Sequence, residues 1–171
     1  MLLTFGLALG SALAFACAAS PGATPPVDID APPQDQFIDK GVSGFLEARC
    51  GAIDCHGQVG RPLRLYSANG LRRDVGDGGG RDTSATTRAE RVDNWRSVVG
   101  LDPEEMNKSQ AANGDPGDLM LMKKPLDIEF GGVRHKGGPV LRASPSDPGW
   151  LCLLSWLARD TNQAACTDAT F

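Results

Sequence analysis

Two cysteines closed off by a histidine, Cys50-Gly51-Ala52-Ile53-Asp54-Cys55-His56, constrain this chain more than any other stretch. In the C-x-x-C-H arrangement the two thiols form thioethers with the vinyl groups of a haem, and the adjoining imidazole becomes the proximal iron ligand. Here the spacing is C-x4-C-H. Cysteines three apart on a helix diverge by about 60°, and five apart by about 140°. The macrocycle fixes the separation of its vinyls, so the two extra residues have to bulge away from a helical path. Gly51 is expected to give that bulge a positive φ. Two other readings compete: a plain Cys50–Cys55 disulfide, and a zinc knuckle. Zinc needs four ligands, and beyond thiols the chain offers only His56 and His135. Zinc is the weakest of the three.

The chain opens with MLLTFGLALGSALAFA, sixteen uncharged residues rich in Leu, Ala and Phe, followed by Cys17 and a run of small residues. An apolar segment too short to span a bilayer, ending in Ala14-Phe15-Ala16, reads as a secretory signal over residues 1–16. A cysteine placed directly after it resembles a lipoprotein box, which makes Cys17 the candidate for acylation. The expected location is therefore the periplasm or the outer cell envelope, on a lipid anchor. Residues 17–35 are rich in Pro, Ala and Asp without apolar periodicity, and read as anchor and semi-stiff linker.

Export changes the meaning of the remaining cysteines, because an even set in an oxidising compartment points to cross-links. If Cys50 and Cys55 hold haem, Cys152 and Cys166 are left as one disulfide. If they do not, two disulfides follow, in any of three pairings. Charge is mixed along the chain, −4 in total. No basic run interleaved with aromatics gives a nucleic-acid footprint.

Residues 36–171 are expected to form one small, mainly α domain with long irregular loops. Phe37, Ile38, Val42, Phe45 and Leu46 recur at helical spacing, predicting a helix over 36–49 that leads straight into Cys50. A second helix is predicted over about 85–99 with Val92, Trp95, Val98 and Val99 inward, and a third beginning at Asp102-Pro103. Leu119-Met120-Leu121-Met122 ends at Lys123-Lys124-Pro125, and His135 stands in a glycine-flanked turn. The last helix is predicted from Asp147 as cap and Pro148 as first residue. Its apolar face would hold Trp150, Leu151, Leu153, Leu154 and Leu157.

The order of these motifs resembles the planctomycete-type cytochrome c domains of secreted bacterial proteins. The matching positions are Cys50, Cys55, His56 and Gly57; Leu119 to Pro125; His135, Gly137 and Gly138; and Trp156-Leu157. The chain is also similar to lipoproteins of myxobacteria that share the longer cysteine spacing and the late cysteine pair. The first resemblance implies a cytochrome-c-like fold, one covalent haem c and single-electron transfer to a redox partner protein.

Ligation by Met or His is usual on the far side of such an iron. His135 is preferred, because its glycines let backbone approach a flat macrocycle. Met122, or Met120 beside it, is the alternative. Lys123, Lys124 and Arg134 are candidates to neutralise haem propionates. No nucleophile elbow or other catalytic constellation is present in the sequence. The expectation is a non-catalytic electron carrier. Its rival is a haem-free, disulfide-stapled surface lipoprotein with a binding or structural role.

Overall fold

A left-handed residue, Gly41 at φ 91°, splits the expected first helix in two: α1 (Gln34–Asp39) and α2 (Val42–Arg49). Side chains with a Cβ rarely adopt that conformation, so the glycine fixes the corner. The break lets Phe37, Ile38, Val42, Phe45 and Leu46 all reach the core from two directions. The computed structural model describes residues 28–73, 83–141 and 145–171. The signal segment 1–16 and Cys17 lie outside them.

Five more helices follow: α3 (Arg88–Val99), α4 (Pro103–Gln110), the single turn α5 (Met120–Lys123), α6 (Pro148–Leu157) and α7 (Gln163–Asp168). Among the described residues the only β pairing is one bridge between Tyr66 and Leu71. The chain is thus mainly α. Two helix starts fall where the residues put them. Asp102 precedes Pro103 at the start of α4, and the Asp147 carboxylate accepts from the Gly149 N–H at 2.8 Å ahead of α6. Leu151, expected on the inner face of α6, is instead exposed, and Trp150 is half-buried. The buried stripe of that helix runs through Cys152, Leu153, Trp156 and Leu157. Phe37 meets Trp156 with ring centres 5.0 Å apart.

α3 differs from expectation in which residues it buries. Val92 and Trp95 sit at the edge of the core, while Glu90 and Asn94 are buried beside Val98 and Val99. Each of these polar groups is compensated, as burial requires. Asn94 receives the Tyr66 N–H at 2.7 Å and donates to the Tyr66 carbonyl at 2.9 Å, holding the irregular segment like a strand partner. Glu90 takes Arg72 at 2.9 and 3.1 Å and the backbone N–H of Arg73 and Thr87. With the Thr87 hydroxyl it completes a capping box that starts the helix at Arg88.

Cys152 and Cys166 form a disulfide that ties α7 to α6. Residues 28–33, read from sequence as linker, lie against the body. Indole N–H groups of Trp95 and Trp156 donate to the carbonyls of Pro32 and Pro33, and the Asn107 side chain bonds to both Asp28 and Asp30.

Candidate prosthetic-group site

α2 delivers Cys50 to the C-cap position, and the chain then leaves the helix. The bulge demanded by the longer cysteine spacing is present. The His56 N–H donates to the Cys50 carbonyl at 3.0 Å, closing a loop in which Ile53, Asp54 and Cys55 are exposed. Gly51 contributes by size and not, as expected, through a positive φ. A Cβ there would stand 2.7 Å from the Glu47 carbonyl oxygen and 2.8 Å from the Ser67 Cβ. Gly57 is tighter still: its Cβ would lie 2.2 Å from the Gly51 carbonyl oxygen. The Ser67 hydroxyl donates to that same oxygen at 2.5 Å.

His56 and His135 are brought together from distant parts of the sequence. Their rings are parallel to within 8°, with centres 6.0 Å apart. His56 Nδ1 lies 2.9 Å from the Leu63 carbonyl oxygen, and His135 Nδ1 2.9 Å from that of Gly138. A carbonyl only accepts, so each Nδ1 carries a proton, and in a neutral ring that leaves the lone pair on Nε2. Gly138, at φ 75°, turns the chain so that its carbonyl can meet the ring. Burial lowers the His56 pKa against the opposing pull of Leu63, with His135 and Arg61 adding to the depression. Its neutral form, the one that binds metal, is favoured.

Between these residues lies a cavity of about 380 Å³. Its walls are apolar, including Phe45, Leu46, Leu63, Leu121, Val140 and Leu141, and its polar groups include Cys50, Cys55, His56 and His135. Such a volume falls in the roughly 300–1,000 Å³ range of ligand and cofactor sites. Cys50 and Cys55 are free thiols, not bridged to each other. Burial, with Cys55 nearby, pushes the Cys50 thiol up to about 12 against the pull of Arg49. Burial and Asp54 raise Cys55.

Met122 is fully buried in the core and does not line the cavity, whereas Met120 does. Of the proposed propionate cations, Lys124 lines the cavity. Lys123 is paired with Asp118, and Arg134 is linked to Lys124 through its carbonyl. Arg49, at the end of α2, also lines the cavity. Its place directly before Cys50 was the available signal for it.

Among the described residues no three His, Cys, Asp or Glu side chains come together as a metal cluster, which a tetrahedral zinc site would require. Haem asks for less: the macrocycle occupies the equatorial positions, and the protein supplies one or two axial ligands. The donor set, two imidazoles and two free thiols at one cavity, and the apolar walls fit a haem.

No family profile, no curated protein and no solved structure matches the chain. Among the described residues no helix is long and apolar enough to cross a membrane.

Proposed function

We propose that this protein is a single-electron carrier holding one c-type haem through Cys50 and Cys55, with His56 and His135 as the axial ligands. One observation carries the reading: two parallel imidazoles, each with Nδ1 tied to a backbone carbonyl, face a shared apolar cavity that also contains two free thiols. When bound, haem supplies a reversible one-electron iron couple. The residues of this chain do the rest. The carbonyls of Leu63 and Gly138 hold Nδ1 of each ring and so orient both imidazoles, as partners of ligating histidines do. Phe45, Leu46, Leu63 and Leu141 keep water away, and Arg49 and Lys124 stand where carboxylates at the cavity edge would need cations. Export by the leader and anchoring through Cys17 would place the carrier on the outer side of a membrane.

Intact mass and absorption spectra of protein made in a periplasm with haem-maturation factors test this. One added haem that survives acid extraction is the expected result. A mature chain with no added mass would leave the haem-free surface lipoprotein as the better account.

A further inference from the structure

We infer that the face around this cavity is a docking surface for a protein with a carboxylate-rich contact face, which exchanges electrons with the bound group. The inference rests on the haem reading for its redox part and on the distribution of charge for its docking part.

The chain is acidic overall, at −4. Its cations are nevertheless deployed unevenly. Away from the cavity Arg73, Arg88, Arg91, Arg96, Lys108 and Arg159 each lie against an Asp or Glu. At the cavity lining and its immediate chain neighbours stand six exposed cations: Arg49, Arg61, Arg64, Lys124, Arg134 and Lys136. Among the described residues none of the six has a carboxylate within ion-pair distance. Charged groups among them bond to backbone carbonyls instead: Arg49 to Val140, Arg61 to Asp54 and Cys55, Lys124 to Arg134. Lys40, which does not line the cavity, is the one other described cation without such a partner. The opposing carboxylates at the same positions are Asp54 and Asp102, with Glu47 occupied by Arg91. With Arg49 and Lys124 set against the carboxylates of the bound group, Arg61, Arg64, Arg134 and Lys136 remain, so a local excess of positive charge still sits on a negative molecule.

Exposed apolar side chains accompany these cations: Met120 lines the cavity at 42% exposure, and Ile53, two residues before the cavity-lining Cys55, is 57% exposed. An apolar centre inside a charged rim is the anatomy of transient protein contacts, where the rim sets encounter rate and orientation. Charge complementarity names the occupant as an acidic protein. The opposite arrangement, in which global charge governs encounter, predicts that anions are repelled.

Two measurements on the mature protein separate these. In the first, the haem-loaded protein is oxidised by ferricyanide, an anion, at increasing salt. Docking at the basic face predicts a rate that falls several-fold between roughly 0.01 and 0.15 M, as the screening length contracts from about 30 to about 8 Å. The double variant R64E/K136E, with its haem spectrum unchanged, should flatten or reverse that slope, while K40E should not. A rate that rises with salt in the parent protein overturns the inference and leaves the electron-carrier reading standing.

The second measurement needs no haem: amide shifts of the mature protein titrated with a hexaglutamate peptide at low salt. Perturbations at Arg61, Arg64, Lys124 and Lys136 support the docking face, even in a preparation that takes up no haem and so defeats the electron-carrier reading. Shifts elsewhere, or binding only to vesicles containing phosphatidylglycerol, overturn it.

Discussion

The Cys50 carbonyl accepts the His56 N–H at 3.0 Å, so the first thiol and the imidazole are fixed relative to each other although five residues separate them. This bond returns the chain to the end of α2 after the excursion through residues 51–55. Ile53, Asp54 and Cys55 are exposed along the excursion, and Cys50, Cys55 and His56 all line the cavity. Gly51, Gly57 and Gly70 make the return possible by letting backbone segments meet almost without intervening atoms.

Substituting Gly57→Ala therefore collides with the Gly51 carbonyl. The expected cost is about 1–3 kcal/mol of overpacking, together with reduced haem uptake, read by denaturant unfolding and by haem stoichiometry. An unchanged unfolding midpoint and full stoichiometry would refute the role given to this contact.

For the axial ligands, His135→Ala should open the iron to exogenous imidazole or cyanide and change the absorption spectrum. Met120→Leu, which conserves volume at the cavity wall, should leave the spectrum as it was. Met122→Leu should do the same, because that side chain is enclosed in the core. A spectrum converted by Met120→Leu and untouched by His135→Ala would assign the ligand to the methionine.

The Arg72–Glu90 pair makes the fold acid-sensitive in a defined window. Burial works against the Glu90 carboxylate, but Arg72, Thr87 and Arg73 together hold its pKa down to about 2, from an ordinary 4.5. A folded-state pKa below the unfolded one gives stability that is present above about 4.5 and is lost as pH falls toward 2, about 3 kcal/mol in all. Melting temperature followed down the acid range should drop through that window. In Glu90→Gln the drop should shrink, and stability near neutrality should fall by about 3–5 kcal/mol because the buried Arg72 guanidinium loses the carboxylate charge it faces. Glu105→Gln, at the exposed Lys108 pair, is the control and should cost under about 1 kcal/mol.

Removing the disulfide with Cys152→Ala and Cys166→Ala should destabilise the protein by about 3 kcal/mol, the loop-closure value for fourteen residues. Chemical denaturation with and without the substitutions measures it. An equal midpoint would mean that α7 is held by packing alone.

Much of this arrangement was legible in the residues because local signals agreed with one another. Asp147-Pro148 and Asp102-Pro103 announce helix starts that need nothing from elsewhere in the chain. Thr87-x-x-Glu90 carried an equally local signal for the start of α3, which a reading centred on apolar periodicity passed over. Periodicity failed where burial is polar: Glu90 and Asn94 are inside only because Arg72 and Tyr66 arrive from a segment with no period of its own. It failed again in Leu119–Met122, where a single helical turn leaves too few residues to tell which methionine faces inward. The meeting of His56 with His135 lies beyond any local pattern. It depends on carbonyls at Leu63 and Gly138 and on the chain path between them.

The chain holds one bridged and one open pair of cysteines, and the bridged pair is the more deeply enclosed. Cys152 and Cys166 are both fully buried, so a thiolate attacking from solution finds neither sulfur. Cys55 stands exposed at the tip of its loop. A reductant in solution would therefore meet Cys55 while the bond that braces α6 and α7 stays out of its reach.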